Sequence, residues 1–201
     1  MDKEKIIKKF KLNKGTVVKL DQYLDLLKEH NSHTNIVGKS TLINPWRSHI
    51  LDSLQISKLI SHKNLSIVDI GTGAGLPGMI LSIFGYTNIT LVDSNNKKIN
   101  FLENTKKDLS LNTNIISTRI ENINNKQYDV ITSRALAKLD KLLSYSQKFL
   151  KKNSILIFLK GKTVNEELAN AKKNWIFSFK KYNSLSDERG SVLRINNIKI
   201  K

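Results

Sequence analysis

The sequence predicts an α/β fold: a mostly parallel, doubly wound sheet of seven strands preceded by an N-terminal helical extension. From Ser66 onward, short apolar runs rich in β-branched residues alternate with helical segments, the pattern of a sheet wound by crossover helices. The first of these runs breaks directly into a glycine-rich turn, Gly71-Thr72-Gly73-Ala74-Gly75. The first 60 residues, by contrast, read as helices. The chain divides accordingly into a helical region over 1–62, packed on the core, and a sheet domain over 63–201.

Each element has its own signal. Thr16 is placed to cap a helix whose apolar positions Val17, Leu20, Leu24 and Leu27 recur at helical spacing. That helix stops in the polar run Glu29 to Asn35. A second helical stretch opens at Asn44-Pro45, an N-cap residue followed by a first-turn proline. It carries Trp46, Ile50, Leu51 and Leu54, with His49 and Asp52 three apart on neighbouring faces. Strand-like runs then fall at Ser66–Ile70, Ile89–Asp93, Asn114–Ile116 (running on to Thr118–Glu121), Tyr128–Thr132 and Ser154–Leu159. Helical segments separate them at Met79–Phe84, Asn96–Leu109 and Leu139–Phe149. After a polar helix near Thr163–Lys173, the closing strands 175–182 and 192–200 are joined by the turn-rich connector Ser184–Gly190.

Composition narrows the chemistry. With 201 residues the chain can bury a substantial core. It has no cysteine, which excludes disulfides, a thiolate nucleophile and cysteine-ligated zinc, and suits a reducing compartment. No apolar run approaches the roughly 20 residues that span a membrane, and the charged start Met1-Asp2-Lys3-Glu4-Lys5 is unlike a signal peptide. The expectation is a cytoplasmic monomer. A net charge of +17 suits a polyanionic partner. Lysine pairs such as Lys97-Lys98 and Lys151-Lys152 are equally read as solvated ends of elements. His30, His33, His49 and His62 form no metal-ligand grouping, so no metal is expected, and His49 reads as structural.

The glycine-rich turn carries the ligand signal. Asp69 precedes it, the glycines run Gly71-x-Gly73-x-Gly75, and a second acid, Asp93, closes the next strand about twenty residues on, where a carboxylate binds ribose hydroxyls. A dinucleotide fingerprint needs a third glycine where this chain has Leu76. The pattern instead resembles the S-adenosylmethionine site of Rossmann-like methyltransferases. On the residues alone, a nicotinamide-dependent oxidoreductase, a methyltransferase for a small molecule or protein, and a non-enzymatic RNA-binding module stay open. Ligands on doubly wound sheets bind at the carboxyl ends of the strands. That rule gathers Gly71 to Leu76, Asp93, Ile120-Glu121, Ser133-Arg134 and Lys160-Gly161 on one rim.

Further segments extend the likeness over nearly the whole chain. Arg47-Ser48-His49-Ile50-Leu51-Asp52-Ser53-Leu54, Asp69 to Gly78 with its Gly75-Leu76-Pro77-Gly78 extension, Leu91-Val92-Asp93-Ser94, Ser133-Arg134-Ala135-Leu136-Ala137 and Leu159-Lys160-Gly161 occur in order. Together they resemble the small-subunit ribosomal RNA guanine-N7 methyltransferase family, RsmG or GidB. Ala74 stands where proline is frequent in that family, a departure that leaves the chemistry untouched. The resemblance implies a Rossmann-like class I methyltransferase moving a methyl group from S-adenosylmethionine to N7 of guanosine 527, in the 530 loop of 16S ribosomal RNA. The partner would be 16S ribosomal RNA or the small subunit. It further implies that Gly71 and Leu76 line the cofactor pocket with Gly73 and Gly75, that Ile120 and Glu121 flank the adenine, and that Arg134 completes the site beside Asp93. Arg134 could bind the methionyl carboxylate or an RNA phosphate; Lys160 and the basic N-terminal helices are weaker candidates for RNA backbone contacts. Guanine N7 has an in-plane lone pair and no proton, so no catalytic acid or base is assigned.

Overall fold

The computed structural model describes residues 1–124 and 126–201. Helices α1 (Lys3–Phe10) and α2 (Lys14–His33) open the chain. A π-helical turn over Trp46–Leu51 then runs through the short α3 (Asp52–Leu54) into a 3-10 turn, Gln55–Leu59. The alternating part is β1 (Ile67–Ile70), α4 (Gly78–Ile83), β2 (Ile89–Asp93), α5 (Asn96–Asp108), β3 (Asn114–Ser117), β4 (Tyr128–Arg134), α6 (Leu139–Ser146), β5 (Leu150–Lys160) and α7 (Val164–Asn174). The strands β6 (Trp175–Asn183) and β7 (Ser191–Ile200) close it.

Among the described residues the strands form one seven-stranded sheet, ordered β3-β2-β1-β4-β5-β7-β6. All neighbours from β3 to β5 are parallel, while β7 pairs antiparallel with both β5 and β6. The chain leaves β1 toward β2 and β3, then returns to β4 on the other side of β1. That reversal opens a crevice at the carboxyl ends of β1 and β4.

Central strands covered on both faces need continuous apolar runs. In β1 and β2 every residue is buried. Successive side chains point to opposite faces. Ile67, Ile89, Leu91 and Val130 join a core layer with α1, α2, the Trp46–Leu59 segment, α4 and α5. Val68, Ile70, Val92 and Ile131 join the opposite layer with α6 and α7. The N-terminal helices therefore share a core with the sheet through Ile6, Leu20, Leu27, Ile50 and Leu54, each with no solvent exposure.

Four elements differ from the sequence expectation. Asn13, not Thr16, caps α2: its Oδ1 accepts the Thr16 N–H at 2.8 Å, so the helix starts one turn earlier. Helix α1 gives only a brief apolar signal, Ile6 and Phe10 one turn apart, behind the Asp2 cap. The extension of the third strand through Glu121 is instead a 3-10 turn, Ile120–Asn122, entered after β3 ends at Ser117. Strand β5 also reaches back to Leu150, because the exposed Lys151 to Asn153 continue its backbone without apolar side chains.

Candidate active site

The glycine turn is folded around Asp69. Its Oδ2 accepts the Thr72 hydroxyl at 2.5 Å and the Gly78 N–H at 2.9 Å, and its Oδ1 accepts the Thr132 hydroxyl at 3.1 Å. Complete burial pushes the Asp69 carboxyl up to about 6, with those hydrogen bonds opposing the rise. Asp69 thus ties the end of β1 to both ends of the turn and to β4, and it does not line the cavity above. From below, Tyr23 of α2 donates its hydroxyl to the Ala74 carbonyl at 2.8 Å, so the N-terminal region supports the turn directly.

The turn makes one wall of a cavity of about 780 Å³ at the carboxyl ends of the strands. Gly71, Gly73, Leu76, Asp93, Ile120, Glu121 and Arg134 all line it, as do Leu136 and Tyr145. Seven of the eight expected cofactor residues thus stand around one space. The eighth, Gly75, is set apart: at φ +87° its missing side chain is replaced by Met79 and Leu102, which pack where a Cβ would be. At Gly73, φ +61°, a Cβ would meet only the Lys98 ammonium, 4.0 Å away. Gly75 lets the turn pack on α4 and α5, whereas Gly73 leaves the cavity open.

Asp93 sits at the end of β2, one tenth exposed. Its Oδ2 accepts the Gly73 N–H and its Oδ1 the Asn95 N–H, both at 2.9 Å. A carboxylate oxygen can accept two hydrogen bonds, so each oxygen keeps an acceptor site for a ligand. Ile120 is buried at the start of its 3-10 turn. Glu121 is exposed, and its own backbone N–H and the Tyr145 hydroxyl hold its carboxyl below the usual range.

Arg134 ends β4 in a cluster with the N-terminal region. Its Nη1 donates to the Ser48 carbonyl and to Asp52 Oδ2, each at 2.9 Å, and its Nη2 faces His49 Nδ1 at 3.3 Å. Both side chains of the ion pair are mostly buried, 20% and 16% exposed. The tautomer of His49 follows. A guanidinium only donates, so Nδ1 accepts; the Thr41 hydroxyl gives its proton to the Gly38 carbonyl and therefore accepts from His49 Nε2–H at 3.0 Å. Burial, aided by the neighbouring Arg134 charge, drives the imidazole down to about 3, so it is neutral.

The tie continues to the far end of the chain. Asp52 Oδ1 accepts from Ser186 Oγ at 2.5 Å and from Gln55 Nε2 at 2.9 Å, while Gln55 Oε1 accepts the Leu185 N–H at 2.8 Å. Sequence reasoning missed this network because its partners lie 82 to 134 residues apart. Lys160, expected at the RNA backbone, is instead a structural cation. Its ammonium pairs with Glu167 at 2.6 Å and donates to the Ala137 carbonyl, with the side chain 7% exposed. Among the described residues no group of three or more potential metal ligands occurs, and no helix is long and apolar enough to cross a membrane.

Residues 16–192 match the family profile of rRNA small subunit methyltransferase G, GidB. The chain belongs to this family. Ribosomal RNA small subunit methyltransferase G of Rickettsia prowazekii (strain Madrid E) is 35% identical over 188 residues, covering 94% of this chain and 97% of the relative. The protein of the same name from Orientia tsutsugamushi (strain Ikeda) is 37% identical, covering 92% and 93%. Among solved structures, PH0226 from Pyrococcus horikoshii OT3 superposes with a TM-score of 0.63 at 14% identity, over 84% of this chain and 96% of that one. A mutant of MtNAS in complex with S-adenosylmethionine gives 0.60 at 14% identity, over 89% and 74%. At such identities these two show the fold alone.

As a member of the methyltransferase G family, the chain is a methyltransferase whose cofactor is S-adenosylmethionine. The residues present fit that cofactor. The space over Gly73 admits a ligand against the backbone, Asp93 has free acceptor sites, and Leu76 and Ile120 offer apolar surface.

Proposed function

We propose that this methyltransferase transfers a methyl group to N7 of a guanosine in the 530 loop of 16S ribosomal RNA, guanosine 527. The carrying observation is the family match over residues 16–192, and the +17 net charge agrees with an RNA partner. We assign the cofactor to the cavity of about 780 Å³, with the protein acting as a monomer in the cytoplasm. Asp93 would accept the ribose hydroxyls, Ile120 and Glu121 would border the adenine, and Leu76 with the Gly71–Gly73 backbone would hold the chain between them. Residues 1–62 form a helical region built onto the methyltransferase domain, 63–201.

The bound cofactor supplies a methyl group activated by its positively charged sulfur. N7 would take that methyl group with its own lone pair as the sulfur–methyl bond breaks and the neutral thioether leaves; no proton is lost, so the protein's task is alignment. Three features serve it. Asp69 fixes the glycine turn, Tyr23 supports it from below, and Arg134 sets the end of β4 against the Ser48–Asp52 segment. N7 lies in the deep major groove of A-form RNA, which side chains read poorly, so the base is taken from a loop or splayed out of its stack.

Borohydride and aniline treatment cuts RNA at N7-methylguanosine. In 16S ribosomal RNA from cells lacking this protein, cleavage in the 530 loop should be lost, and purified protein with S-adenosylmethionine should restore it. Unchanged cleavage overturns the assignment of the target.

A further inference from the structure

The outer strands β6 and β7 leave part of one sheet face open. Helix α7 packs on their other side, where Phe177 and Phe179 join the layer with α6 and α7, and Lys181 Nζ donates to Asn165 of α7 at 2.8 Å. Of the described residues in these two strands, only Val192 joins the layer that holds the N-terminal helices. Beyond it the register sets Tyr182 against Val192, Lys180 against Arg194 and Ser178 against Asn196. Lys180 and Ser178 are exposed, Tyr182 is 38% exposed, and Arg194 and Asn196 are half-buried.

This open face lies in register with the cofactor site. One row crosses four strands as Arg134, Leu159, Val192 and Tyr182, and the next runs Thr132, Ile157, Arg194 and Lys180. With strands about 4.8 Å apart, Tyr182 stands about 14 Å from Arg134 at the cavity wall. The charge of the face has one sign. Lys180 and Arg194 are directly opposite, a like-charge pair that costs stability, and neither makes an ion pair or a side-chain hydrogen bond among the described residues. Strands β6 and β7 contain no acid. Ser178, Asn196 and Tyr182 add the hydroxyl and amide donors that bind phosphate oxygens, which favours RNA over an anionic lipid surface. We infer that this face is a second RNA contact, holding the backbone of the strand that runs on from the target base, with Lys180 and Arg194 on its phosphates. This rests on the reading of the chain as a ribosomal RNA methyltransferase. A bound phosphate turns the repulsion within the pair into attraction.

Two double variants test the face. Lys180→Gln with Arg194→Gln removes both charges from it, whereas Lys172→Gln with Lys181→Gln removes two from the side that α7 covers. The first should melt no lower than the wild type, because a repulsive pair is relieved, and should keep kcat and the S-adenosylmethionine affinity. Its KM for 16S ribosomal RNA should rise about tenfold, and the salt slope of RNA binding should fall by about two. The second should keep a slope near that of the wild type. Equal effects of the two make the loss one of overall charge and overturn the face. A fall in melting temperature in the first variant makes the pair structural and overturns it as well. So does RNA binding that is unchanged while binding to phosphatidylglycerol vesicles is lost, which assigns the face to a membrane. Failure of the wild type to bind 16S ribosomal RNA overturns the reading of the substrate; an unchanged slope in the first variant, beside a wild type that binds, overturns the face alone.

Discussion

Asp52 and Arg134, 82 residues apart, meet at 2.9 Å and join the N-terminal helical region to the end of β4 at the rim of the cofactor cavity. Arg134→Ala leaves a mostly buried carboxylate without its cation and is expected to cost about 2 kcal/mol of stability. It should also reduce methyl transfer by two orders of magnitude or more, because the end of β4 that lines the cavity loses its anchor. Near-normal turnover refutes that role. A double-mutant cycle with Asp52→Ala should give a coupling of about 1–3 kcal/mol.

Neutral His49 makes the fold acid-sensitive. Its folded-state value, near 3, lies below the ordinary 6.5, so the unfolded chain takes up the proton first. The stability this contributes is complete above pH 6.5 and is lost as pH falls toward 3. By pH 5 the loss is about 2 kcal/mol relative to pH 7.5. Denaturant titrations of wild type and His49→Gln at both pH values should show the difference between them narrowing by that amount. A constant difference contradicts the assignment.

The turn glycines should separate stability from binding. Gly75→Ala must displace Met79 or Leu102 and adopt φ +87°, so a loss of about 3 kcal/mol is expected. Gly73→Ala carries mainly the smaller penalty of a positive φ, about 1 kcal/mol. Its methyl group faces the cavity, so the Kd for S-adenosylmethionine should rise about tenfold. Calorimetry on both variants tests this, and equal effects on stability contradict it.

Lys160→Ala tests a cation removed from the list of RNA contacts. Breaking its buried pair with Glu167 should cost about 3 kcal/mol. The salt dependence of RNA binding should be unchanged, since no phosphate contact is lost. A reduced slope restores Lys160 to the interface.

Much of the fold is legible in the sequence, because the signals that specify it are local. Val68 and Ile70 alternate with Ile67 across the sheet, and the Gly71–Gly75 turn follows them without a break. Leu76, Asp93, Ile120 and Glu121 come together because strand ends share a rim whatever the side chains are. Two kinds of feature escape. Asn13 and Asp2 cap helices whose apolar periodicity begins later, so the first turn is hidden. The partners of Arg134 and Asp52 are chosen by the packing of distant segments, and no spacing records that choice.

The Asp52 hub has a consequence for how the chain is made. During synthesis Asp52 leaves the ribosome 134 residues ahead of Ser186, its partner in the β6–β7 connector. Gln55 waits almost as long for Leu185. A nascent chain can close the glycine turn early and still hold Asp52 through Arg134 alone. Final locking comes only when the C-terminal hairpin emerges and inserts β7 between β5 and β6. Vectorial folding thus ends at the Asp52–Arg134 cluster beside the glycine turn, which makes that corner the last part of the enzyme to be locked in place.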